Sequence, residues 1–582
     1  MTSTAHGASG GPSDNSDTFA PTTRLRSNDY WLDRVLPLRL VVPSLVVAAV
    51  FAFLVRIFVA QWYVPVIVAV VVVAAALTPF RRINLAAWIA REFTFRWQSF
   101  RNNSSVVQHA PFDVPLPEGG VYGMRWDGAR LLTMLRIEAQ PRTVARLSPT
   151  ALLGDDMLPL PEIARCLDQF DIRLAAIDVI STGSRSSGTG AVARAYESIL
   201  GPLPAVAHRT VWVVLRLDPL ANAGAVESRG GGATGTLRAA IVATRRVANR
   251  LAARGLSAAV LSAAEITQAV GQLTNGVPTD ELTETPHSLV HDDIHHTSYR
   301  MTPAALEPRG IAEIWSTPTV ATTVTVRMQR ADHGEHGRSA QPAPIAVTAT
   351  ARFTTRDAPV DLRSAGLRPL PGKQRRALLF SLPVGAGVPT LPLQRYLGEP
   401  DALDDVPMPI AGCGQLIGAD ESGQGVALPL VGRHVHRVEI IGSPLVAKQV
   451  ILRAIALDAS VVVHTTRHDE WRPMLEYVDT PQALTLATWS AGSQQAGSYR
   501  FATMVVFDGI PPSGHYSDAT VVVLRAHDSA AITGFEPDVT LVEDEETANR
   551  VTVRTTSGET TVHMVATPEE LRYVGAEAPA PV

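Results

Sequence analysis

The sequence LVVPSLVVAAVFAFLV occupies residues 40–55, and WYVPVIVAVVVVAAAL occupies residues 62–77. Neither stretch contains a charged residue, and each approaches the ~20 apolar residues that a helix needs to span the hydrocarbon core of a bilayer. Arg56 and Gln61 lie between the two stretches. Because such polar groups are costly at mid-bilayer, they predict a short turn at one interface. The sequence therefore predicts a transmembrane hairpin of two helices.

The predicted spans cover about residues 38–58 and 61–80. One alternative is a long helical hairpin buried inside a soluble protein, which the missing charges and the arginine-rich borders disfavour. A cleaved signal peptide fits less well, because the apolar stretch begins well inside the chain and a second apolar stretch follows it.

Arginines border the hairpin on both sides, whereas the turn contains only Arg56. Since positive charge is retained on the cytoplasmic side, this asymmetry predicts a multi-pass protein with both termini in the cytoplasm. The residues expected at the membrane interface are Arg39, Arg56, Gln61, Trp62, Arg81, Arg82, Trp88 and Trp97.

The composition excludes several classes of function. A net charge of -4 over 582 residues gives no reason to expect general nucleic-acid binding. Cys166 and Cys413 lie far apart and form neither metal-ligand spacing nor a disulfide framework, as expected in a reducing compartment. We therefore expect no metal and no cofactor.

Four regions follow from the patterning. Residues 1–27 are rich in Ser, Thr, Gly, Asp and Pro, which predicts a disordered tail. Residues 28–104 contain the juxtamembrane segments and the hairpin. Helix–strand alternation then predicts an α/β fold with two cytoplasmic units, a mixed α/β domain at 112–400 and a second one at 405–575.

Two features of the first unit suggest chemistry only weakly. The loop at residues 230–235, GGGATG, opens a predicted helix but lacks the spacing of a dinucleotide or P-loop fingerprint, so a linker is favoured over a phosphate cradle. Four histidines occur between residues 287 and 296, and on a helix His291 and His295 would share a face as zinc ligands. Asp292 stands where a metalloprotease has Glu, so solvated or capping histidines are favoured.

The second unit contains a sequence with the order of a P-loop. The predicted strand RVEII at residues 437–441 leads into GSPLVAKQ at 442–449 and then a helix. Ala447 replaces the second Gly of the motif, and Gln449 replaces the hydroxyl residue that holds Mg²⁺. A degenerate nucleotide-binding fold and an unrelated α/β domain both remain open. The vestigial cofactor-binding candidates are Gly442, Lys448 and Asp508, the last at the end of a predicted Walker B strand.

The layout of tail, hairpin and α/β domain resembles the EccE family, a membrane component of ESX (type VII) secretion systems. The resemblance includes RRINLAAWIAREFTFRW at residues 81–97 and IWSTPTVATTVTVRM at residues 314–328. It implies a non-enzymatic subunit of an inner (plasma) membrane complex with EccB, EccC and EccD as partners. Residues 414–444 also resemble the entry to an FtsK-like ATPase domain of the kind found in EccC.

Three functions can be weighed. The first is a structural subunit of a secretion complex with no catalytic residues, and the second is a membrane-tethered nucleotide-binding protein or NTPase. The third is a membrane-anchored transferase or hydrolase, which no Ser-His-Asp order, paired carboxylates or nucleophile elbow supports. The altered P-loop favours the first.

Overall fold

A computed structural model of the chain describes most of the two α/β units and part of the hairpin region. The described residues are 24–27, 38–58, 61, 63–77, 79–80, 83–84, 109–139, 144–149, 151–152, 156–187, 190–331, 344–356, 366–384, 391, 393–432, 434–487, 502–512, 516, 518–547 and 549–575. The predicted disordered tail, apart from residues 24–27, lies outside them, as do the expected interface residues Trp62, Arg81, Arg82, Trp88 and Trp97.

The apolar stretches form two helices, Leu38–Phe58 and Tyr63–Leu77, which pack side by side. Ala48 is buried in this contact. Arg39 lies in the first helix, Arg56 is exposed near its end, and Gln61 is exposed between the helices. In the described part of the chain, no helix is both long and apolar enough to cross a bilayer. The membrane crossing therefore stays a prediction.

The first sheet is antiparallel at every pair of neighbouring strands. Along its main path lie Thr283–Glu284, Leu289–His291, Ile294–Met301, Ile345–Thr355, Ala321–Arg330, Ile172–Ser184, His208–Leu217, Arg130–Glu138, Val121–Asp127 and Phe112–Pro115. Side pairings add Arg26–Ser27, Asp168–Gln169, Ser257–Val260, Leu367–Pro369 and Tyr396–Gly398. A separate two-stranded ribbon joins Pro79–Phe80 to Ile83–Asn84.

Helices cover both faces of the first sheet. Because side chains alternate along a strand, Ile177 and Val179 pack toward the helix Gly232–Ala252, whereas Ile180 packs on the opposite face against Ala263–Leu273. The other helices of this unit are Leu160–Arg165, Ala223–Glu227, Pro303–Leu306, Pro308–Ser316, Gln374–Phe380 and the 3₁₀ helix Pro400–Leu403.

The second sheet has a parallel half and an antiparallel half. Its order is Leu484–Leu486, Val461–Thr465, Met504–Asp508, Thr520–Arg525, Arg437–Ile441, Val539–Glu543, Arg550–Thr555, Gly558–His563, Gln415–Ala419, Gly425–Leu428, Ala145–Ser148 and Ala151–Leu152, of which the first six are parallel. The helices packed on it are Gly190–Leu200, Pro444–Ala456, His468–Val478 and Pro568–Tyr573. The prediction of a mixed α/β fold is confirmed, since both units combine sheets with packed helices.

The two units are joined through several contacts. The strand Ala145–Ser148, which precedes most of the first sheet in sequence, pairs with Gly425–Leu428 of the second. Cys413 N donates to Val206 O at 2.8 Å. Gly412 lies so close that an added Cβ would be 2.1 Å from Ala207 O. The units therefore share strands and close backbone contacts.

Candidate functional site

The loop in the P-loop position is much shorter than the sequence pattern suggests. The strand Arg437–Ile441 is followed by Gly442 and Ser443 alone, and the helix Pro444–Ala456 begins directly after them. The Ser443 side chain caps this helix by accepting from Val446 N. Since the segment from Pro444 onward is helical, it does not form the extended loop with which a P-loop surrounds a phosphate.

A carboxylate of the protein already occupies the start of this helix. Ser443 N donates to Glu543 Oε2 at 2.6 Å, and an added Cβ on Gly442 would lie 2.6 Å from the Glu543 Cβ. The N-terminus of a helix attracts negative charge through its free N–H groups and its dipole. Glu543 thus takes the place that an anionic ligand would need.

Lys448 is buried in the body of the helix. Its Nζ donates to Glu470 O at 2.6 Å and lies 6.0 Å from the centre of the Trp471 ring. Burial lowers the pKa of the Lys448 ammonium, although Glu470 and Asp508 oppose the shift. The side chain is therefore held by contacts with the helix His468–Val478.

Asp508 is fully buried and binds three side chains. Its carboxylate accepts from Thr465 Oγ1 and from Trp471 Nε1, both at 2.9 Å, and from the Arg467 guanidinium. These bonds connect neighbouring parallel strands to the helix His468–Val478. Lys448 and Asp508 are thus both neighbours of Trp471, whereas Gly442 lies beside Glu543.

A second feature, a cleft of about 730 Å³ between the two units, was not predicted by sequence analysis. Thr182, Ser184 and Thr210 line it from the first unit, together with neutral backbone and amide groups. Among the described lining residues none is Lys or Arg, and Asp458 is the one acidic side chain. Such a lining disfavours an anionic ligand. Clefts of this kind depend on how distant strands meet, which no local pattern encodes.

A buried ion cluster in the first sheet also escaped sequence analysis. Asp178 is fully buried and accepts from Arg216 Nε at 2.9 Å and from Arg327 Nε at 2.6 Å. Burial acts to raise the pKa of Asp178, but the two guanidinium groups hold it below its ordinary value. Both partners lie on neighbouring strands, so the cluster connects three strands of the sheet, and loss of one partner would leave a buried charge unpaired.

The histidine segment is not a helix, so His291 and His295 do not share a helix face, and the disfavoured zinc-ligand arrangement does not form. The chain forms a hairpin of Leu289–His291 and Ile294–Met301. His296 is buried, its Nδ1 lies 3.0 Å from Thr354 Oγ1, and burial lowers its pKa to about 3. Within the described ranges, no group of three possible ligands could hold a metal ion.

In the Gly-rich loop the helix already begins at Gly232, and an added Cβ on Gly235 would lie 2.2 Å from Val226 O. That glycine serves close packing.

These features define a class: an α/β protein of two joined sheets, preceded by a pair of apolar helices. Residues 205–301 match the sequence profile of a family described as "Putative type VII ESX secretion system translocon, EccE". This segment includes the strand His208–Leu217 and the helix Gly232–Ala252 of the first sheet.

Three relatives carry related names. The ESX-1 secretion system protein EccE1 of Mycolicibacterium smegmatis is 26% identical over 171 residues, which are 29% of this chain and 36% of that protein. The ESX-5 secretion system protein EccE5 of Mycobacterium marinum is 25% identical over 337 residues, 56% of this chain and 80% of that protein. The ESX-2 secretion system protein EccE2 of Mycobacterium tuberculosis is 25% identical over 362 residues, 61% and 63% respectively.

The chain thus spans about a third of EccE1 and larger parts of EccE5 and EccE2. The predicted resemblance to EccE is confirmed, and the relatives point to a subunit of a type VII secretion system.

Proposed function

We propose that this chain is a non-enzymatic structural subunit of an inner-membrane type VII (ESX) secretion complex. It is anchored by the helices Leu38–Phe58 and Tyr63–Leu77, keeps both termini in the cytoplasm, and offers its two α/β units as assembly surfaces for EccB, EccC and EccD. The observation that carries the proposal is the similarity to EccE proteins, centred on residues 205–301.

The surface of the helical pair supports anchoring. Large apolar side chains are exposed along both helices, among them Phe53, at 68%, and Val70, at 63%. Exposed apolar surface on this scale is unfavourable in water and favourable in lipid. Arg56 and Gln61 lie at the connection between the helices, where polar groups reach an interface.

The contacts around the P-loop position support a role without catalysis. Lys448 and Asp508 are hydrogen-bonded within the fold, and Glu543 covers the start of the adjacent helix. A nucleotide would have to displace these contacts. A scaffold needs only folded surfaces, and the described second unit provides them.

Affinity purification of the tagged full chain in mild detergent tests this function. EccB, EccC and EccD should be recovered with it, and deletion of residues 38–77 should remove them and abolish export. Replacement of the same residues by an unrelated two-span hairpin is the matched control, since it restores anchoring without the native sequence. Full export by the deletion variant would overturn the proposal.

Cysteine labelling tests the topology separately. A reagent confined to the outside should label Gln61→Cys and should not label Ala20→Cys or Glu118→Cys. Labelling of Glu118→Cys from outside would exclude the two-span arrangement, because Glu118 belongs to the first α/β unit.

A further inference from the structure

Two large apolar side chains are exposed together on the first unit. Phe170 is 100% exposed and Leu220 is 84% exposed. Their turns are bonded to each other, because Arg173 N donates to Asn222 Oδ1 at 2.6 Å and Asn222 Nδ2 donates to Arg173 O at 2.8 Å. The two exposed side chains therefore lie on turns that are hydrogen-bonded to each other, and together they are called here the Phe170–Leu220 patch.

The backbone at Phe170 is strained. Its φ is +54°, in the left-handed region that L side chains rarely adopt. Asp171 fixes the turn by pairing with Arg229 at 2.6 Å and with Arg246 at 3.1 Å. Glycine or asparagine would suit this position better. A bulky apolar residue that is both strained and fully exposed buries no apolar surface in the fold, so it points to a contact outside the chain.

The patch lies at the end of the sheet where the chain enters from the helical pair. At this end of the sheet, Leu174 pairs with Leu217, and Leu217 pairs with Leu131. Leu131 lies next to the turn that follows Asp127. The first strand of this unit after the helices, Phe112–Pro115, begins near the same turn, because Phe112 pairs with Met124, three residues before Asp127.

The segment before the helices is also attached near this end. Arg26–Ser27 pairs with Tyr396–Gly398, which pairs with the first residues of the strand Ile345–Thr355. Ser27 is 11 positions before Leu38. An extended chain of that length spans at most about 40 Å, so Ser27 lies within that distance of the start of the helical pair.

The charges around the patch permit contact with a lipid surface. Four arginines and three aspartates surround it, so an anionic headgroup layer is not repelled. They are Arg173, Arg229, Arg246, Arg330, Asp168, Asp171 and Asp218. Arg246 also lies over the Phe170 ring, at 5.5 Å from its centre. Apolar tips flanked by arginines are typical of proteins that rest at the boundary between headgroups and acyl chains.

We propose that Phe170 and Leu220 insert into the cytoplasmic lipid interface and that the first unit rests with this end against the membrane. The inference rests on the proposed anchoring of the helical pair. It adds a second lipid contact, made by the α/β unit itself, which fixes the orientation of the assembly surfaces relative to the bilayer.

Depth-dependent quenching in proteoliposomes tests the insertion. The full chain, with Cys166→Ala and Cys413→Ala, carries an environment-sensitive fluorophore at Leu220→Cys, and the vesicles contain brominated phosphatidylcholine and phosphatidylglycerol. We expect the probe to lose about half of its fluorescence, as at the headgroup–acyl boundary. Adding Phe170→Ser should largely abolish this loss of fluorescence. Ser257 pairs with Glu138, at the other end of the strand Arg130–Glu138 from the patch, so a probe at Ser257→Cys should not be quenched.

A probe at Leu54→Cys on the first helix separates the possible outcomes. If Leu54→Cys is quenched and Leu220→Cys is not, the inference is wrong while the anchoring proposal stands. If neither probe is quenched, both proposals fail. If the Leu220→Cys probe is not quenched by the lipid and leaves an aqueous environment only after EccB, EccC and EccD are added, the patch is a protein-docking site and lipid insertion is overturned. Thermal unfolding of each labelled variant checks that the turn remains folded.

Discussion

Asp508→Ala and Lys448→Met should affect this protein very differently, and the contrast decides between a scaffold and an NTPase. In an NTPase both residues act on the nucleotide, so either change abolishes function. In a scaffold, their effects follow from the contacts within the fold. Asp508 holds three partners and Lys448 holds one.

The expected magnitudes follow from these bonds. Asp508→Ala leaves Thr465 Oγ1 and Trp471 Nε1 buried without an acceptor, at about 1–3 kcal/mol each. The lost volume adds to this, whereas Arg467 is exposed enough to regain water. The sum is about 3–5 kcal/mol, a large part of the ~5–15 kcal/mol that stabilises a typical domain.

Lys448→Met removes one hydrogen bond and also removes a buried charge from a side chain that is 9% exposed. These two changes oppose each other, so we expect a net effect within about 1 kcal/mol. Asp508→Asn is the matched control, because it keeps the shape and one acceptor oxygen. Its cost should lie between the other two.

Unfolding of the purified full chain by urea, followed by tryptophan fluorescence, measures the loss of stability. We expect it to be largest for Asp508→Ala, smaller for Asp508→Asn and smallest for Lys448→Met. Export and chain abundance are measured in parallel. The reasoning is refuted if Lys448→Met abolishes export at unchanged stability and abundance. It is also refuted if Mg²⁺-ATP raises the melting temperature of the wild type and not of Lys448→Met, since ligand at one hundred times its Kd adds about 2.7 kcal/mol.

Three further outcomes are expected. His296 has a pKa of about 3 in the folded state against an ordinary 6.5, so the unfolded state binds more protons between these pH values and the free energy of unfolding falls as pH drops. Between pH 7 and pH 5, urea titrations should show a fall in the free energy of unfolding that is about 2 kcal/mol larger in the wild type than in His296→Asn. Gly412→Val should separate the two units, because its Cβ would meet Ala207 O, and limited proteolysis should then cleave between them. Arg453→Leu should cost about 3–5 kcal/mol by leaving Glu570 buried and unpaired, and the double variant Arg453→Leu/Glu570→Leu should recover part of it in a melting curve.

The elements that the sequence predicts well are those set by local periodicity. The uncharged run around residues 40–55 forms the helix Leu38–Phe58, and the sequence RVEII forms the strand Arg437–Ile441. In both, the residues that decide the structure lie within a few positions of one another.

Long-range pairing could not be read from the same patterns. The strand Ala145–Ser148 pairs with Gly425–Leu428, which lies far along the chain, and the alternation of apolar and polar residues in a strand does not identify the strand that pairs with it. The cleft between the units has the same origin, because it exists only where the two sheets meet. The helical arrangement of His291 and His295, which the sequence already disfavoured, does not form because residues 292–293 make a turn in which Asp292 takes a φ of +50°. Adjacent aspartates between two apolar runs are the local signal for that turn.

The same kind of local signal explains why the segment in the P-loop position is helical from Pro444 onward. Ser443 followed by Pro444 is a strong helix start, because Ser caps the free N–H groups and Pro suits the first helical position. The helix therefore begins four residues before Lys448, whose ammonium donates to Glu470 O. Glu543, on the neighbouring parallel strand, then supplies the negative charge that the helix start attracts. A sequence with the order of a phosphate site can thus fold into a capped helix whose anion is its own carboxylate.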